Sequence, residues 1–325
     1  MKVLVCGATG FIGRNVAERL ARRADVDVLG VWHRQTAPDI PGVSWRHADL
    51  RSAEDVAEVV RGVDVIVQAA AATSGAGVTV RAPHLHVTDN AVMNSVLLRA
   101  AHDAGTKRFI FFSCSIMYGP KDAPVRESDY APGDPLPTTY FGAAWTKVYI
   151  EQMCEFYARL GRTRCTVIRH ANVYGPYDKF DLLRSHVFGA TITKVIEGQG
   201  PIVVWGDGQE GRDFIHVDDL TRFVESVLDD QAAPPCDLFN VGSGHIVGVA
   251  DLVALVKRQA HVSRPVHFDA TAPTIAVSVA LDSSKAHSRY GWSPRISLEE
   301  GVAATLAWRR AELESAGQER RHVPA

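Results

Sequence analysis

A chain of 325 residues is long enough to bury a large core and to form one extended domain or two lobes. Its 35 lysines and arginines nearly balance its 37 aspartates and glutamates, which argues against nucleic acid or an anionic membrane surface as a partner. Five dispersed cysteines argue against a disulfide framework and a zinc site. We find no signal peptide and no apolar run of membrane-spanning length, so we expect a soluble cytoplasmic protein.

The chain opens with a predicted strand, a glycine-rich turn and a helix. An apolar run at 3–5 ends at Gly7, and Gly10 and Gly13 follow around a helical pattern that begins at Phe11. Glycine permits a positive φ and lets a pyrophosphate approach the backbone, while the amides at a helix start favour an anion. An ordinary glycine-rich turn is the alternative. The position between a strand and a helix favours a dinucleotide site.

The second predicted strand, at 26–31, runs out into His33 and Arg34. The dinucleotide fingerprint places an acidic residue there to select NAD, whereas these side chains suit the 2′-phosphate of NADP. We therefore expect NADP in preference to NAD, and the alternative is that both residues are merely solvated. Asp49, which follows the third strand, is placed to meet the adenine amino group. A fourth strand at 63–72 runs into small residues at 69–75, which leave room for a cofactor.

Strands and helices continue to alternate, with helices at 90–105 and 139–160 and strands at 107–113 and 163–169. This alternation predicts an α/β fold with a Rossmann-type doubly wound parallel sheet. Beyond it the pattern is less regular, with a helix at 180–198, a strand at 202–205 and a further helix after 211–219. We expect a dinucleotide-binding domain over 1–175, to which strand elements from about 211–245 can return. A smaller C-terminal substrate-binding lobe should cover 176–312, and the polar tail 313–325 should fray.

Motifs along nearly the whole chain resemble the extended short-chain dehydrogenase/reductases, the NAD-dependent epimerase/dehydratase family, which act on nucleotide-linked sugars. These motifs are Gly7-x-x-Gly10-x-x-Gly13, Asp49 with Leu50, Asn90, Lys147 with Glu151, and the segments 172–176, 212–219, 239–242 and 281–294. Within the family, the segments 174–181, 185–187 and 204–206 are most similar to GDP-L-fucose synthase-like 4-keto-sugar epimerase/reductases.

The resemblance implies that hydride passes between a nicotinamide and a sugar carbon. A tyrosine beside a lysine then exchanges a proton with the sugar oxygen, and a serine or threonine hydroxyl steadies that oxygen. Lys147 matches the lysine and is also expected to bind the nicotinamide ribose; the alternative is an exposed i,i+4 pair with Glu151. The tyrosine position holds Ala143, which cannot exchange a proton, and the serine/threonine position falls on Cys114.

Other groups must then supply the acid and the base. A thiol, with an ordinary pKa near ~8.5, serves only if the site tunes it, and Cys114 is otherwise a space-filling residue at a strand end. Tyr140 would lean away from Lys147 if the helix includes it. His186 matches the family's epimerase histidine and could deprotonate a keto-sugar beside its carbonyl; the alternative is a structural histidine.

The resemblance also implies a grip on an anionic substrate. Arg212 would hold a diphosphate with its bidentate fork, although a pair with Asp218 or Asp219 is the alternative. Lys194 would add charge and Trp205 would pack near the base. A basic residue of the family is absent from 273–279, which puts the usual sugar nucleotide in doubt. The long helix usually pairs with its symmetry mate in this family, so a homodimer is expected.

We therefore predict an NAD(P)-dependent nucleotide-sugar epimerase or ketoreductase that acts on a keto-sugar with an altered acid/base set. The alternative is a catalytically impaired cofactor-binding pseudoenzyme or partner subunit, and an engineered alanine at 143 is a third explanation. The expected cofactor-binding residues are Gly7, Thr9, Gly10, Phe11, Ile12, Gly13, His33, Arg34, Asp49, Leu50, Ala69, Ala71, Asn90 and Lys147. The expected catalytic residues are Lys147, Cys114, His186, Ser115 and Tyr140. The expected substrate-binding residues are Asn172, Lys194, Trp205 and Arg212, and no metal site is expected.

Overall fold

The computed structural model describes residues 1–73, 82–272, 274 and 278–322. Its strands are β1 (Lys2–Cys6), β2 (Asp27–Trp32), β3 (Val43–His47), β4 (Val65–Gln68), β5 (Arg108–Cys114), β6 (Arg164–His170), β7 (Asn172–Tyr174), β8 (Ile202–Trp205), β9 (Gly211–His216), β10 (Cys236–Val241), β11 (Ile246–Gly248) and β12 (Val266–Asp269). Its helices are α1 (Phe11–Leu20), α2 (Ala53–Val59), α3 (Thr88–Ala104), α4 (Phe141–Arg159), α5 (Val187–Ile196), α6 (Val217–Asp229), α7 (Val249–Ala260), α8 (Ser284–Tyr290) and α9 (Leu298–His322). Short 3₁₀ turns lie at Pro83–His86, Glu127–Asp129 and Thr138–Tyr140.

A seven-stranded sheet in the order β10-β6-β5-β4-β1-β2-β3 forms the centre of the protein. Every neighbouring pair of its strands is parallel. The strand order reverses between β1 and β4, and in such sheets ligands bind in the crevice at the carboxyl ends of the strands beside this reversal. The predicted Rossmann-type doubly wound parallel sheet is therefore confirmed. Strand β10, from the later part of the chain, forms one edge of this sheet.

Both faces of the sheet are buried because successive residues of a strand point to opposite sides. On one face, Ile110, Phe112 and Ile168 share a core cluster with apolar residues of α1 and α6. On the other face, Phe109 and Phe111 pack in a second cluster with apolar residues of α3 and α4. The cover on both faces explains why the strands are apolar runs rather than alternating ones.

A smaller group of elements follows the sixth strand. Strands β11, β9 and β7 form a three-stranded sheet, and β12 pairs with β8 in parallel. A third core cluster, which includes Phe188, Ile192, Leu252, Val256 and Leu306, packs helices α5, α7 and α9 together.

Two predicted element boundaries are wrong. The helix expected at 180–198 begins only at Val187, and before it the Leu183 amide donates a 2.8 Å hydrogen bond to the Asp181 side chain. A side chain that bonds its own backbone in this way competes with a helix. The segment predicted as a polar tail also overlaps α9, which continues to His322, and the fraying of this tail stays a prediction.

Two features that would change the class of protein are not seen in these ranges. No helix of the described residues is long and apolar enough to cross a membrane. Nor do the described His, Cys, Asp and Glu side chains form any group of three or more that could hold a metal ion.

Candidate active site

The glycine-rich turn joins β1 to α1 at the point where the strand order reverses. Gly7 has φ +73°, and a Cβ there would lie 2.7 Å from the backbone of Ala70, which follows β4. A Cβ on Gly13 would lie 2.2 Å from the Gly7 oxygen. Gly10 is exposed and precedes the first turn of α1, whose amides receive no side-chain cap and which contains no acidic residue. This exposed helix start fits a pyrophosphate.

The other residues expected in the loop lie in the same place. Thr9, Phe11 and Ile12 are half-buried around the turn, on either side of Gly10. The backbone of the turn is closed by a 2.9 Å hydrogen bond from the Gly10 amide to the Gly7 carbonyl. The loop therefore offers backbone amides rather than side chains to a ligand.

The residues expected at the adenine end lie beyond β2 and β3. Arg51 donates two hydrogen bonds to the Asp49 carboxylate, at 3.0 and 2.7 Å, and these bonds hold the pKa of that carboxyl below its usual range. The Nε2 atom of His33 lies 3.8 Å from the same carboxylate, while Arg34 is exposed. Leu50 is buried, so it packs in the core. Arg51 orients Asp49 and was not singled out from the sequence, although it lies two residues along the chain.

Asn90 anchors the loop that follows β4. This buried amide accepts a 2.8 Å bond from the Ala72 amide and donates a 3.0 Å bond to the Ala72 carbonyl. Asn90 therefore positions the loop, because both ends of its side chain are engaged by the protein. Ala69 is half-buried and Ala71 is exposed at the strand end. The remaining small residues of the predicted segment, at 74–75, lie outside the described residues.

Lys147 reaches the end of β5 from the second turn of α4. Its Nζ donates a 2.7 Å hydrogen bond to the Phe112 carbonyl and lies 4.7 Å from the centre of the Phe111 ring. Burial lowers the pKa of this ammonium, and the neighbouring Cys114 opposes the shift. The ammonium is thus fixed at the carboxyl edge of the sheet.

The alternative reading of Lys147, an exposed pair with Glu151, is wrong. Glu151 is buried and forms an ion pair with Arg169, at 2.6 Å. The same carboxylate accepts a 2.6 Å hydrogen bond from Ser113, the residue before the expected serine/threonine position. Glu151, Arg169 and Ser113 therefore form a buried polar network under the site.

Cys114 ends β5 and is partly accessible. Burial raises the pKa of its thiol, while the nearby Lys147 ammonium acts in the opposite direction. The thiol is consequently protonated at neutral pH. Ser115 follows in a turn, where its carbonyl accepts a 3.1 Å bond from the Tyr118 amide. Ser115 is half-buried and directly follows the end of β5.

Tyr140 is not part of the long helix, which begins one residue later at Phe141. The tyrosine lies in the 3₁₀ turn after Pro137, with φ −111° and ψ 10°. Burial raises the pKa of its phenol, the Arg212 cation lowers it, and Cys114 raises it further. Because Tyr140 precedes the helix, its side chain does not have the helical orientation that would turn it away from Lys147. Tyr140 lies within electrostatic range of both a site thiol and a site guanidinium.

His186 stands directly before α5. It is accessible to solvent, but the surrounding protein desolvates its imidazolium and lowers its pKa to about 4. The charges of Lys179, His86 and Arg212 act in the same direction. His186 is consequently neutral at pH 7 and able to accept a proton.

Lys179 connects the smaller group of elements to the cofactor side. Its Nζ donates to the carbonyl and the hydroxyl of Thr73, at 3.1 and 2.6 Å, and Thr73 belongs to the loop after β4. Burial lowers the pKa of His86 and His186, and the Lys179 ammonium adds to both shifts. It was not identified from the sequence, and its place inside the segment 174–181 is the signal that could have indicated it.

His170 is a second residue that the sequence reasoning missed. It ends β6 and lies beside Cys114 in the strand register. Burial lowers the pKa of its imidazole to about 4, and the charges of Lys147 and His186 add to this shift. Cys114, Lys147 and His170 therefore lie together at the carboxyl edge of β5 and β6, and His186 is within electrostatic range of His170.

The expected substrate residues follow this edge into the smaller group of elements. Arg212 is half-buried on β9, within electrostatic range of Tyr140 and His186. Asp219, its proposed alternative partner, binds Arg222 at 2.5 Å instead. The Nδ2 atom of Asn172 donates a 3.1 Å bond to the Asp213 carbonyl, and this bond holds β7 against β9.

Lys194 and Trp205 lie together at the rim. The Lys194 ammonium is 5.8 Å from the Trp205 ring centre, and burial lowers its pKa. Trp205 and Val203 both project from the exposed face of β8. A cavity of about 260 Å³ lies against Lys194 and Val203. This rim offers an aromatic ring beside a positive charge.

The model of the NAD dependent epimerase/dehydratase family matches residues 3–242 of the chain. The chain belongs to this family. The resemblance inferred from the motifs is therefore confirmed, and so is the prediction of an NAD(P)-dependent enzyme of the nucleotide-sugar epimerase/reductase type.

Family members of known activity match along most of their length. The chain is 28% identical to GDP-L-fucose synthase of Escherichia coli, over 94% of this chain and 96% of that protein. It is 25% identical to GDP-mannose 3,5-epimerase of Arabidopsis thaliana, over 97% of this chain and 83% of the relative. A solved UDP-glucose 4-epimerase from Thermotoga maritima, with UDP-glucose, has a TM-score of 0.83 and 25% identity, covering 96% of this chain and 100% of that one. A structure of MoeE5 with UDP-glucuronic acid and NAD has the same TM-score, identity and coverage.

Proposed function

We propose that this family member acts on a nucleotide-activated keto-sugar as an epimerase or ketoreductase whose acid and base groups differ from those of its relatives. The carrying observation is that Lys147 and Cys114 lie together at the carboxyl end of β5, while Arg212 is within electrostatic range of both Tyr140 and His186. This edge is where a doubly wound sheet binds its ligands. The relatives named above include GDP-sugar and UDP-sugar enzymes.

Each of these side chains has a role in the proposal. The ammonium of Lys147 holds the nicotinamide ribose, and when bound the nicotinamide gives or receives the hydride. Cys114 and Ser115 steady the sugar oxygen. His186, neutral at pH 7, removes the proton beside the keto group. Tyr140 donates to the oxygen from its turn before α4.

The substrate is proposed to run from this edge to the rim. Arg212 holds the diphosphate, for which a guanidinium fork is suited. Lys194 adds charge, and Trp205 stacks against the base. Asn172 supports this surface by fixing β7 to β9. The substrate would then be a nucleotide-sugar or a similarly anionic small molecule.

For the cofactor we propose NADP in preference to NAD. His33 and Arg34 directly follow β2 with no carboxylate beside them in the sequence, and Arg34 is exposed. Arg51 donates to the Asp49 carboxylate and orients it, and we propose that this carboxylate also accepts a hydrogen bond from the adenine amino group. The affinity ratio of NADPH to NADH, and its loss in the Arg34→Ala variant, tests this preference. Equal binding of both cofactors by the unaltered protein contradicts it.

The second candidate function is a cofactor-binding pseudoenzyme or partner subunit. The observation that favours it is Ala143, which occupies the family's tyrosine position in α4 and cannot exchange a proton. In that case the fold would bind NAD(P) and a sugar nucleotide without converting either one.

Incubation with a panel of nucleotide 4-keto-sugars in deuterated water, with and without NADPH, separates these functions. We expect deuterium to enter the sugar without cofactor consumption if the protein epimerises, and His186→Asn to abolish this exchange. His287→Asn, on the exposed side of α8, is the matched control. NADPH consumption instead reports reduction. Tight NADPH binding with neither signal across the panel refutes the enzyme and supports the pseudoenzyme.

We also propose a cytoplasmic homodimer formed through α4. The dispersed cysteines suit a reducing compartment. Helix α4 and the residue that caps it expose a stripe of large apolar side chains, namely Phe141, Trp145, Tyr149, Phe156 and, at the cap, Leu160. Sedimentation should find a dimer that Phe156→Lys converts to a monomer, while Ile246→Lys, on the distant strand β11, should leave it intact. A monomer at micromolar concentration before any substitution contradicts this proposal.

The same proposal assigns a binding role to each part of the chain. We assign cofactor binding to 1–175 together with the returning strand β10, substrate binding mainly to 176–312, and neither role to the tail 313–325. Deleting 313–325 should therefore leave NADPH affinity unchanged, and a large loss of affinity would contradict the assignment.

A further inference from the structure

The register of the central sheet places an imidazole beside the site thiol. His170 and Cys114 are Cα partners at the ends of neighbouring parallel strands. Ile110 and Phe112 on β5, and Ile168 on β6, belong to the core cluster on one face of the sheet. Alternate residues of a strand share a face, so His170 and Cys114 continue these two rows onto the same face.

The side chain of His170 is held in place from both sides. Its ring meets the Phe112 ring in an edge-to-face contact, with centroids 6.2 Å apart. Its Nδ1 atom lies 2.7 Å from the Ala171 carbonyl oxygen. A carbonyl oxygen can only accept, so Nδ1 carries the proton of the neutral ring and Nε2 keeps its lone pair. The ring is thus a proton acceptor with a defined atom.

The charged and titratable groups around His170 come from three elements. Lys147 approaches from α4, His186 stands at the start of α5, and the Cys114 thiol lies on β5. Burial disfavours the charged ring and the Lys147 ammonium opposes a second positive charge, so both favour the unprotonated imidazole. In the same way, a lysine beside a tyrosine favours the phenolate that accepts a proton.

We propose that His170 takes the place of the family's tyrosine and exchanges the sugar hydroxyl proton through Nε2. This role rests on the proposed function. In the oxidative direction the sugar O–H bond breaks and its proton goes to Nε2. The electron pair of the C–H bond leaves as hydride to an oxidised nicotinamide, and a carbonyl forms. In the reductive direction the same proton returns to the carbonyl oxygen, so that atoms and charge balance.

Two histidine variants test the proposal kinetically. His170→Gln keeps a polar side chain but cannot take up a proton, and we expect it to lower kcat by about 10²–10⁴-fold, with a much smaller change in KM. Free imidazole in the buffer should restore part of this loss. His287→Gln on α8 is the matched control and should keep the original rate. A kcat for His170→Gln within about threefold of that of the unaltered protein, or a rise in KM with kcat unchanged, overturns the proposed role of His170.

A measurement without cofactor or substrate supports or overturns the same inference. In ¹⁵N-labelled protein, NMR should find the Nδ1-protonated tautomer of His170 at pH 7 and a pKa well below the ordinary value near ~6.5. The Nε2-protonated tautomer overturns the proposal even if the enzyme is active. Absence of turnover by the unaltered protein on every sugar tested refutes the proposed function, and the role of His170 with it. Turnover that survives His170→Gln refutes only the role of His170.

Discussion

Substitution of the loop glycines by alanine should separate folding from cofactor binding. At Gly7, alanine must adopt φ +73°, which costs about 1–2 kcal/mol, and its Cβ would lie 2.7 Å from the Ala70 backbone. Overpacking against a rigid neighbour adds about 1–3 kcal/mol. Gly7→Ala should therefore lower the free energy of unfolding by about 2–5 kcal/mol, as measured by urea titration.

Gly10→Ala is the matched substitution in the same loop. Gly10 has φ −93°, and its Cβ would lie 3.3 Å from the Gly7 oxygen, so we expect a loss of stability below about 1 kcal/mol. The new methyl group is nevertheless exposed at the helix start that should receive the pyrophosphate. Titration calorimetry should find NADPH binding at least about tenfold weaker. A stable Gly7→Ala protein, or a Gly10→Ala protein with undiminished NADPH affinity, would refute this reading of the loop.

Three further substitutions test the network under the site, a buried acid and the missing tyrosine. Glu151→Ala breaks a buried ion pair and should lower the free energy of unfolding by about 3–5 kcal/mol, as measured by urea titration. The control Glu155→Ala removes a surface i,i+4 pair and should lower it by less than about 0.5 kcal/mol. Equal losses in the two variants would contradict the burial argument. Burial raises the pKa of Asp178 to about 7, above the unfolded value near ~3.9, so stability is lost as pH rises from about 4 to about 7 and is constant above that range. Asp178→Asn should therefore stabilise the protein more at pH 8 than at pH 6, and a gain independent of pH would contradict this. Ala143→Tyr places a phenol one turn before Lys147 and should raise kcat about tenfold or more in a hydride-transfer assay; no change with a lowered NADPH affinity would indicate that the phenol merely blocks the site.

The fold could be predicted because its signals are local and repeated. A strand, a glycine turn and a helix at the start of the chain, followed by alternating apolar runs and helical patterns, leave few alternatives to a doubly wound sheet. The glycine spacing likewise predicted a turn that the close approach of Gly7 and Ala70 now explains. These features depend on residues near one another in the chain.

The parts of the site that depend on distant contacts could not be predicted. Glu151 suggested a pair with Lys147 because a helix makes i,i+4 residues neighbours, yet its partner Arg169 comes from β6. The role of Tyr140 depended on where α4 begins, since a helix that began one residue earlier would have turned the phenol away from Lys147. His170 carries no motif, and only the pairing of β5 with β6 brings it to Cys114.

Transfer of cofactor hydride to the sugar, or exchange of a sugar proton with solvent, shows whether the altered acid/base set supports catalysis. The unaltered protein and nucleotide 4-keto-sugars should be incubated in ordinary water with NADPH that carries deuterium at C4 of the nicotinamide, and in parallel in deuterated water with unlabelled NADPH, and the products analysed by mass spectrometry. If the altered acid/base set supports catalysis, deuterium appears on the sugar carbon, or the sugar exchanges a proton with solvent while the cofactor is unchanged. Tight NADPH binding with neither label on any sugar would contradict the account and leave a protein that binds its cofactor without using it.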